Sequence, residues 1–211
     1  MSAKKTEARK ASHIEVCLNK DVEFKQKAPG FSDVELIHCS LPECSFDGID
    51  ASTDFLGKKL KLPFIIEAVT GGYKEATKIN KALAKAAQEK GIAMGVGSQR
   101  AMLENPGLTA TYAVRDVAPD IFLVGNIGLS HLSKHSPQEI AGLASKIDAD
   151  AIAVHLNAVQ EVFQPEGDLD FSEGVSAIEK LCSETSVPVI AKEVGAGISS
   201  ECAMQLESAG V

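Results

Sequence analysis

The chain has 211 residues, 45% of them apolar and 24% charged, and a net charge of −8. That length supports one domain with a substantial core, while the acidic balance excludes a broadly basic nucleic-acid face. No apolar run reaches the ~18 residues of a membrane span, and the five cysteines (17, 39, 44, 182 and 202) contain no CxxC pair, so they read as reduced thiols of a cytoplasmic protein rather than a zinc site or a disulfide framework.

Residues 1–28 are charged and weakly patterned and read as an N-terminal arm. Their start, MSAKKTEARKASHIEVCL, is basic but has no long apolar core behind it, which reads against a signal peptide. Residues 29–61 hold the turn formers Pro29-Gly30, Pro42 and Asp47-Gly48 and read as a lead-in of small strands and turns. Arm and lead-in (1–61) thus precede a regular region (62–211).

In that region PFIIEAV (63–69) is a strand-like run. Ala76, Ile79, Leu83 and Ala86 then mark one face of a helix that ends at Gly91. IAMGV (92–96) is the second run, and Asn105-Pro106 is expected to cap the helix after it. IFLVGNIG (121–128) is the third, followed by a capping box, SPQE, at 136–139. AIAVHLN (151–157) is the fourth, with a helix in FSEGVSAIEKLC. Pro188–Lys192 is the fifth, with a helix beginning at SSECAMQLESAG.

Five βα units of roughly 30 residues imply a parallel sheet. The strands are continuous apolar runs, as expected where both faces are covered. The first turn, TGGYKEA, lacks a GxGxxG fingerprint, so a TIM (β/α)8-type barrel is favoured over an open dinucleotide-binding sheet. With eight units in a barrel, the reading is of the first five. An open five-stranded fold also fits the pattern.

Unusual polar residues and glycines follow each strand: Thr70-Gly71-Gly72; Gly97-Ser98-Gln99-Arg100; Gly125-Asn126; His155, Asn157, Gln160 and Glu161; Lys192 and Glu193. In a parallel barrel these ends share one rim, where active sites are built. Gly71, Gly72, Gly95 and Gly97 are expected to let a flat ligand approach the backbone. Each residue also has a plain alternative, as turn former, helix cap, solvated charge or satisfied core histidine. Lys192 is the most telling, because a lysine finishing an apolar strand needs a partner.

RKASHI, VTGG, GSQR, GNIG, HLNAVQEVFQPEGDLDF and KEVGAGIS, in that order, resemble the type 2 isopentenyl-diphosphate isomerases. The resemblance runs from about residue 8 to the end of the chain. It implies a TIM-barrel enzyme that interconverts isopentenyl and dimethylallyl diphosphate with FMN, Mg2+ and NADPH as reductant. It further implies a homo-oligomer, while the acidic balance and the lack of a long apolar run give the expectation of no nucleic-acid or membrane partner. Ala68, Val69, Thr70, Ser98, Asn126 and Lys192 match flavin contacts. Arg9, Lys10, His13, Ser98, Gln99, Arg100, His155, Asn157 and Gln160 match residues around the substrate. Gln160 and Lys192 match catalytic positions, and Glu161 the metal ligand.

The segment QPEGD is placed only as loop support. Valine stands at 69 where the family commonly has methionine. The resemblance puts the FMN phosphate on glycine-rich loops of the last barrel units, which this chain does not contain. Two other readings fit the pattern: an FMN-dependent barrel oxidoreductase of the lactate-oxidase or IMP-dehydrogenase sort, and a non-catalytic fragment.

Overall fold

Strands β3 (Ile65–Ile66), β4 (Ala93–Gly95), β5 (Leu123–Gly128), β6 (Ala151–Leu156) and β7 (Val189–Glu193) form one sheet in chain order. Every neighbouring pair is parallel. The computed structural model describes residues 12, 14–26, 28–164 and 167–211. The strand order never reverses, so the sheet has no switch point of the kind that defines a doubly wound fold. Right-handed crossovers then place every connecting helix on the same face and leave the other face as the inside of a barrel wall. The fold is a helix-flanked half-barrel of TIM type.

Helix α1 (14–19) lies in the arm. Helix α2 (Ala76–Lys90) ends on Gly91, whose left-handed φ of 64° is the expected terminator. Helix α4 (Pro137–Ser145) carries the expected capping box, with the Ser136 hydroxyl accepting from the Glu139 N–H. Helices α5 (Ala158–Phe163), α6 (Gly174–Glu184) and α7 (Ser200–Ser208) complete the set.

The stretch after β4 departs from expectation. Asn105 caps the following helix as expected, with Pro106 at its first position, but that helix is a 3-10 turn (Pro106–Thr111) and a short α3 (Arg100–Glu104) stands before it. Proline forces its predecessor out of the helical region, and Asn105 is extended, at φ −148° and ψ 99°. Its side chain still accepts a hydrogen bond from the Gly107 N–H. The first strand is also shorter than its apolar run, covering only Ile65 and Ile66.

Two apolar layers sandwich the sheet. On the helix side, Ile127, Ile152 and Val154 pack with Ile140, Leu143, Ile178 and Leu181. On the inner side, Ala93, Phe122, Val124, Ala151 and Ala153 meet Leu60 and Phe55. The last two belong to an antiparallel hairpin, β1 (Thr53–Phe55) and β2 (Lys58–Leu60). The Phe55 and Phe122 rings meet edge to face at 5.0 Å. Phe122 precedes β5 and Ala151 opens β6, so the hairpin plugs the N-terminal end of the strands and leaves the C-terminal end for chemistry. Ahead of the hairpin, Phe31, Leu36, Ile37 and Phe46 are all exposed.

The cysteines carry no disulfide: Cys17, Cys39 and Cys44 are exposed, Cys182 and Cys202 half-buried. Among the described residues no helix is long and apolar enough to cross a membrane.

Candidate functional site

Side chains alternate across a strand, so the inner face can be followed upward residue by residue. Val124 leads to Asn126, Ala153 to His155, and Ile190 to Lys192. Each strand therefore changes from apolar to polar on its inner face as it approaches the rim. Register joins His155 to Lys192 directly across β6 and β7.

These side chains line a cavity of about 150 Å³ with Ala68, Val69, Ser98, Asn157, Gln160, Glu161, Gln164 and Val194. Nine of the residues singled out from the sequence thus come together: Ala68, Val69, Ser98, Asn126, His155, Asn157, Gln160, Glu161 and Lys192. A larger cavity of about 550 Å³ adjoins it, sharing Asn157, Gln160 and Val194 and walled by Phe24, Leu129, Leu156, Val159, Phe163 and Phe171. The polar cleft therefore opens beside an apolar one.

Glu161 is buried, and both of its carboxylate oxygens accept: Oε1 from Asn157 Nδ2 at 2.8 Å and Oε2 from the Asp168 N–H at 2.9 Å. A side chain at Gly167 would overlap the Glu161 carbonyl, 1.7 Å away. The loop after α5 thus folds back onto the carboxylate. Lys134 pairs with Asp168 and holds its carboxyl below the usual range. Among the described residues no three His, Cys, Asp or Glu side chains cluster as a self-sufficient metal cage. Glu161 is the carboxylate within the cavity, which suits a cation held chiefly by other ligands.

His155 Nδ1 lies 2.8 Å from Asn126 Oδ1. Asn126 Nδ2 donates to the Val96 carbonyl at 3.1 Å. Lys192 is half-buried, and no hydrogen-bonded or ion-paired partner for its ammonium occurs among the described residues.

The remaining predicted residues lie elsewhere. Thr70 is buried beside the cavity, and among the described residues its Oγ1 has no hydrogen-bond partner. Gln99 is fully buried in the helix layer, where Nε2 donates to the Leu143 carbonyl at 2.9 Å. Arg100 donates to Glu104 at 2.9 Å, outside the cavity wall. Arg9, Lys10 and His13 fall outside the described residues.

The glycines correct an expectation. A side chain at Gly71 would collide with the Tyr112 ring at 2.0 Å, and one at Gly72 with Ala101 at 2.6 Å. Gly97 faces the Thr70 backbone at 2.6 Å, and Gly95 faces Ala68 at 3.3 Å. These positions admit neighbouring protein, not a ligand. Sequence reasoning missed Gly128, where a Cβ would sit 2.8 Å from His155 Nε2. The available signal was its place two residues after Asn126, on the same face. It also missed His131, whose pKa burial lowers to about 4, with Arg100, His135 and Lys134 adding to the effect and Glu161 opposing it.

Residues 2–105 match the model of the FMN-dependent dehydrogenase family. An isopentenyl-diphosphate delta-isomerase of Methanococcoides burtonii is 49% identical over 207 residues, covering 98% of this chain and 57% of that protein. Proteins of the same description from Halobacterium salinarum and Pyrococcus furiosus are also 49% identical, with 58% and 54% of their lengths covered. A solved lactate oxidase chain of Pediococcus acidilactici gives a TM-score of 0.49 at 17% identity, covering 79% of this chain and 51% of that one, a likeness too slight to bear on function. By sequence, this chain is similar to the isopentenyl-diphosphate delta-isomerases along almost its whole length, and it spans a little over half of theirs.

Proposed function

We propose that this chain forms the substrate- and metal-facing rim of an isopentenyl-diphosphate delta-isomerase. The observation that carries this is the single cavity in which His155, Asn157, Gln160, Glu161 and Lys192 converge with Ala68, Ser98 and Asn126. The reaction moves a double bond: one carbon gains a proton and another loses one. The protein's part is to hold the substrate still, keep water out and manage charge.

His155 and Asn157 face the diphosphate, joined by Ser98 and by the arm residues Arg9, Lys10 and His13. Arg100 joins them in this reading, whereas the burial of Gln99 in the helix layer argues for an indirect role at that end. Gln160 lies beside the reacting carbons; its amide is too weak an acid to protonate an alkene, so it orients or relays. Glu161 would hold Mg2+ with one carboxylate, alongside diphosphate oxygens and water, as is common for this cation. The buried, unpartnered Thr70 hydroxyl and the Ala68–Val69 wall suit a flavin edge. Bound FMN, with NADPH as its reductant, would supply an electron-rich face and a proton carrier. Lys192 would stabilise negative charge there. The assembled enzyme is a homo-oligomer in this reading.

Calorimetric titration of the full chain with isopentenyl diphosphate, with and without Mg2+, tests the assignment. Mg2+-dependent binding is expected, weakened about tenfold or more by His155→Gln, since hydrogen bonds to charged groups contribute about 1.5–3 kcal/mol. FMN titration followed by absorbance is expected to weaken in Lys192→Met. Absence of diphosphate binding, or wild-type affinities in both variants, rejects the reading.

A further inference from the structure

Gln99 is fully buried, yet each of its polar groups is committed to a neighbour. Its backbone N–H donates to the Asn126 carbonyl at 2.7 Å. Its side-chain Oε1 accepts from the Asn126 N–H at 3.0 Å. Its Nε2 donates to the Leu143 carbonyl on α4 at 2.9 Å and lies 3.3 Å from the Met102 sulfur. Strand β4 ends at Gly95, so Gln99 takes over the hydrogen bonds that a longer β4 would have given Asn126. Room for it comes from Gly125, where a Cβ would stand 2.7 Å from Gln99 Oε1.

The consequence passes to the opposite face of the sheet. With its backbone gripped, Asn126 presents its amide along the inner wall. Nδ2 meets the Val96 carbonyl, which can only accept. The amide orientation is thereby fixed, and Oδ1 is the atom facing His155 Nδ1 at 2.8 Å. Oδ1 can only accept, so Nδ1 must carry the proton. A histidine's tautomer is set by the hydrogen bond its other nitrogen makes.

We propose that Gln99 is a positioning residue which, through Asn126, holds neutral His155 as the Nδ1–H tautomer and makes Nε2 its accepting nitrogen. Resting on the diphosphate reading above, a ring held this way donates to a phosphate oxygen at Nε2 only after taking a second proton. The role differs from the direct substrate contact that the sequence suggested for Gln99.

Imidazole 15N–1H correlation spectra of the uniformly 15N-labelled full chain, at a pH where its histidines are neutral, read the tautomer directly. His155→Gln identifies the signal. The wild type is expected to show Nδ1–H. Asn126→Ala is expected to convert the ring toward Nε2–H. Gln99→Leu is expected to mix the two forms although Asn126 remains, with the His131 and His135 signals unmoved. Gly125→Ala keeps every hydrogen-bonding group and displaces only the Gln99 amide, so it serves where Gln99→Leu does not fold, with the same mixing expected. An Nε2–H wild type, or an unchanged tautomer in the folded Gln99 or Gly125 variant, overturns the proposal. Inorganic pyrophosphate is then added together with Mg2+. A second proton appearing at Nε2 supports the diphosphate reading, whereas no response with the Nδ1–H tautomer intact rejects that reading and leaves the lock standing.

Discussion

Asn157 Nδ2 and the Asp168 N–H each donate to a different oxygen of the Glu161 carboxylate. Both partners are donors, so position 161 requires two acceptors. Glutamine keeps the shape but turns an NH2 group toward one of them. Glu161→Gln is expected to cost about 1–3 kcal/mol of stability from the buried group left unpaired, besides lowering Mg2+ affinity. Urea denaturation measures the first effect. A wild-type midpoint would show that the carboxylate is not structural.

Thr70 gives the opposite sign. Its hydroxyl is buried without a partner among the described residues, and a buried, unmatched polar group is unfavourable. Thr70→Val is expected to leave the unliganded chain equally stable or up to about 1 kcal/mol more stable, while weakening FMN binding. Thermal unfolding together with a flavin titration checks both halves. A destabilised variant with normal flavin affinity would contradict them.

Gly128 has an ordinary extended backbone, with φ −78° and ψ 145°, so alanine is conformationally acceptable there. Its Cβ would nonetheless press on His155 Nε2. Gly128→Ala is expected to leave the fold intact and push the ring off its preferred rotamer, a cost of about 0.5–1.5 kcal/mol. Pyrophosphate affinity should fall roughly two- to tenfold. Unchanged affinity would place the binding surface elsewhere.

His131 predicts a pH dependence. Burial depresses its folded-state pKa from 6.5 to about 4. Between those values the unfolded chain binds a proton that the folded chain does not. Its contribution to stability is full above pH 6.5 and is lost as pH falls toward 4. Denaturation midpoints at pH 7 and pH 5 should therefore differ less in His131→Asn than in the wild type. An equal drop in both would remove His131 as the cause.

Much of this architecture was legible because βα repeats write their period into the sequence. The capping box at Ser136 and the terminator at Gly91 are local, and they formed as expected. Inward-facing residues were harder to assign, since strands covered on both faces show no alternation. Asn126, His155 and Lys192 were legible as rim residues because each is a polar group at the C-terminal end of an apolar run. Gln99 was not, because a residue in the turn after β4 can point to either layer, and only the carbonyl of Leu143, 44 positions away, decides it. The glycines misled for a related reason: a missing Cβ signals a close approach, but not by what.

The sequential strand order also bears on how the sheet is assembled. Its ladders join Ile65 to Ala93, Met94 to Leu123, Val124 to Ala151 and Ile152 to Val189, and no pairing spans more than 37 residues. The cost of closing such an interval grows only slowly with its length, so no strand pairing is much harder to close than the one before it. Each strand can dock on the one made just before it, so the wall carrying Asn126, His155 and Lys192 can grow in the order in which a ribosome delivers it.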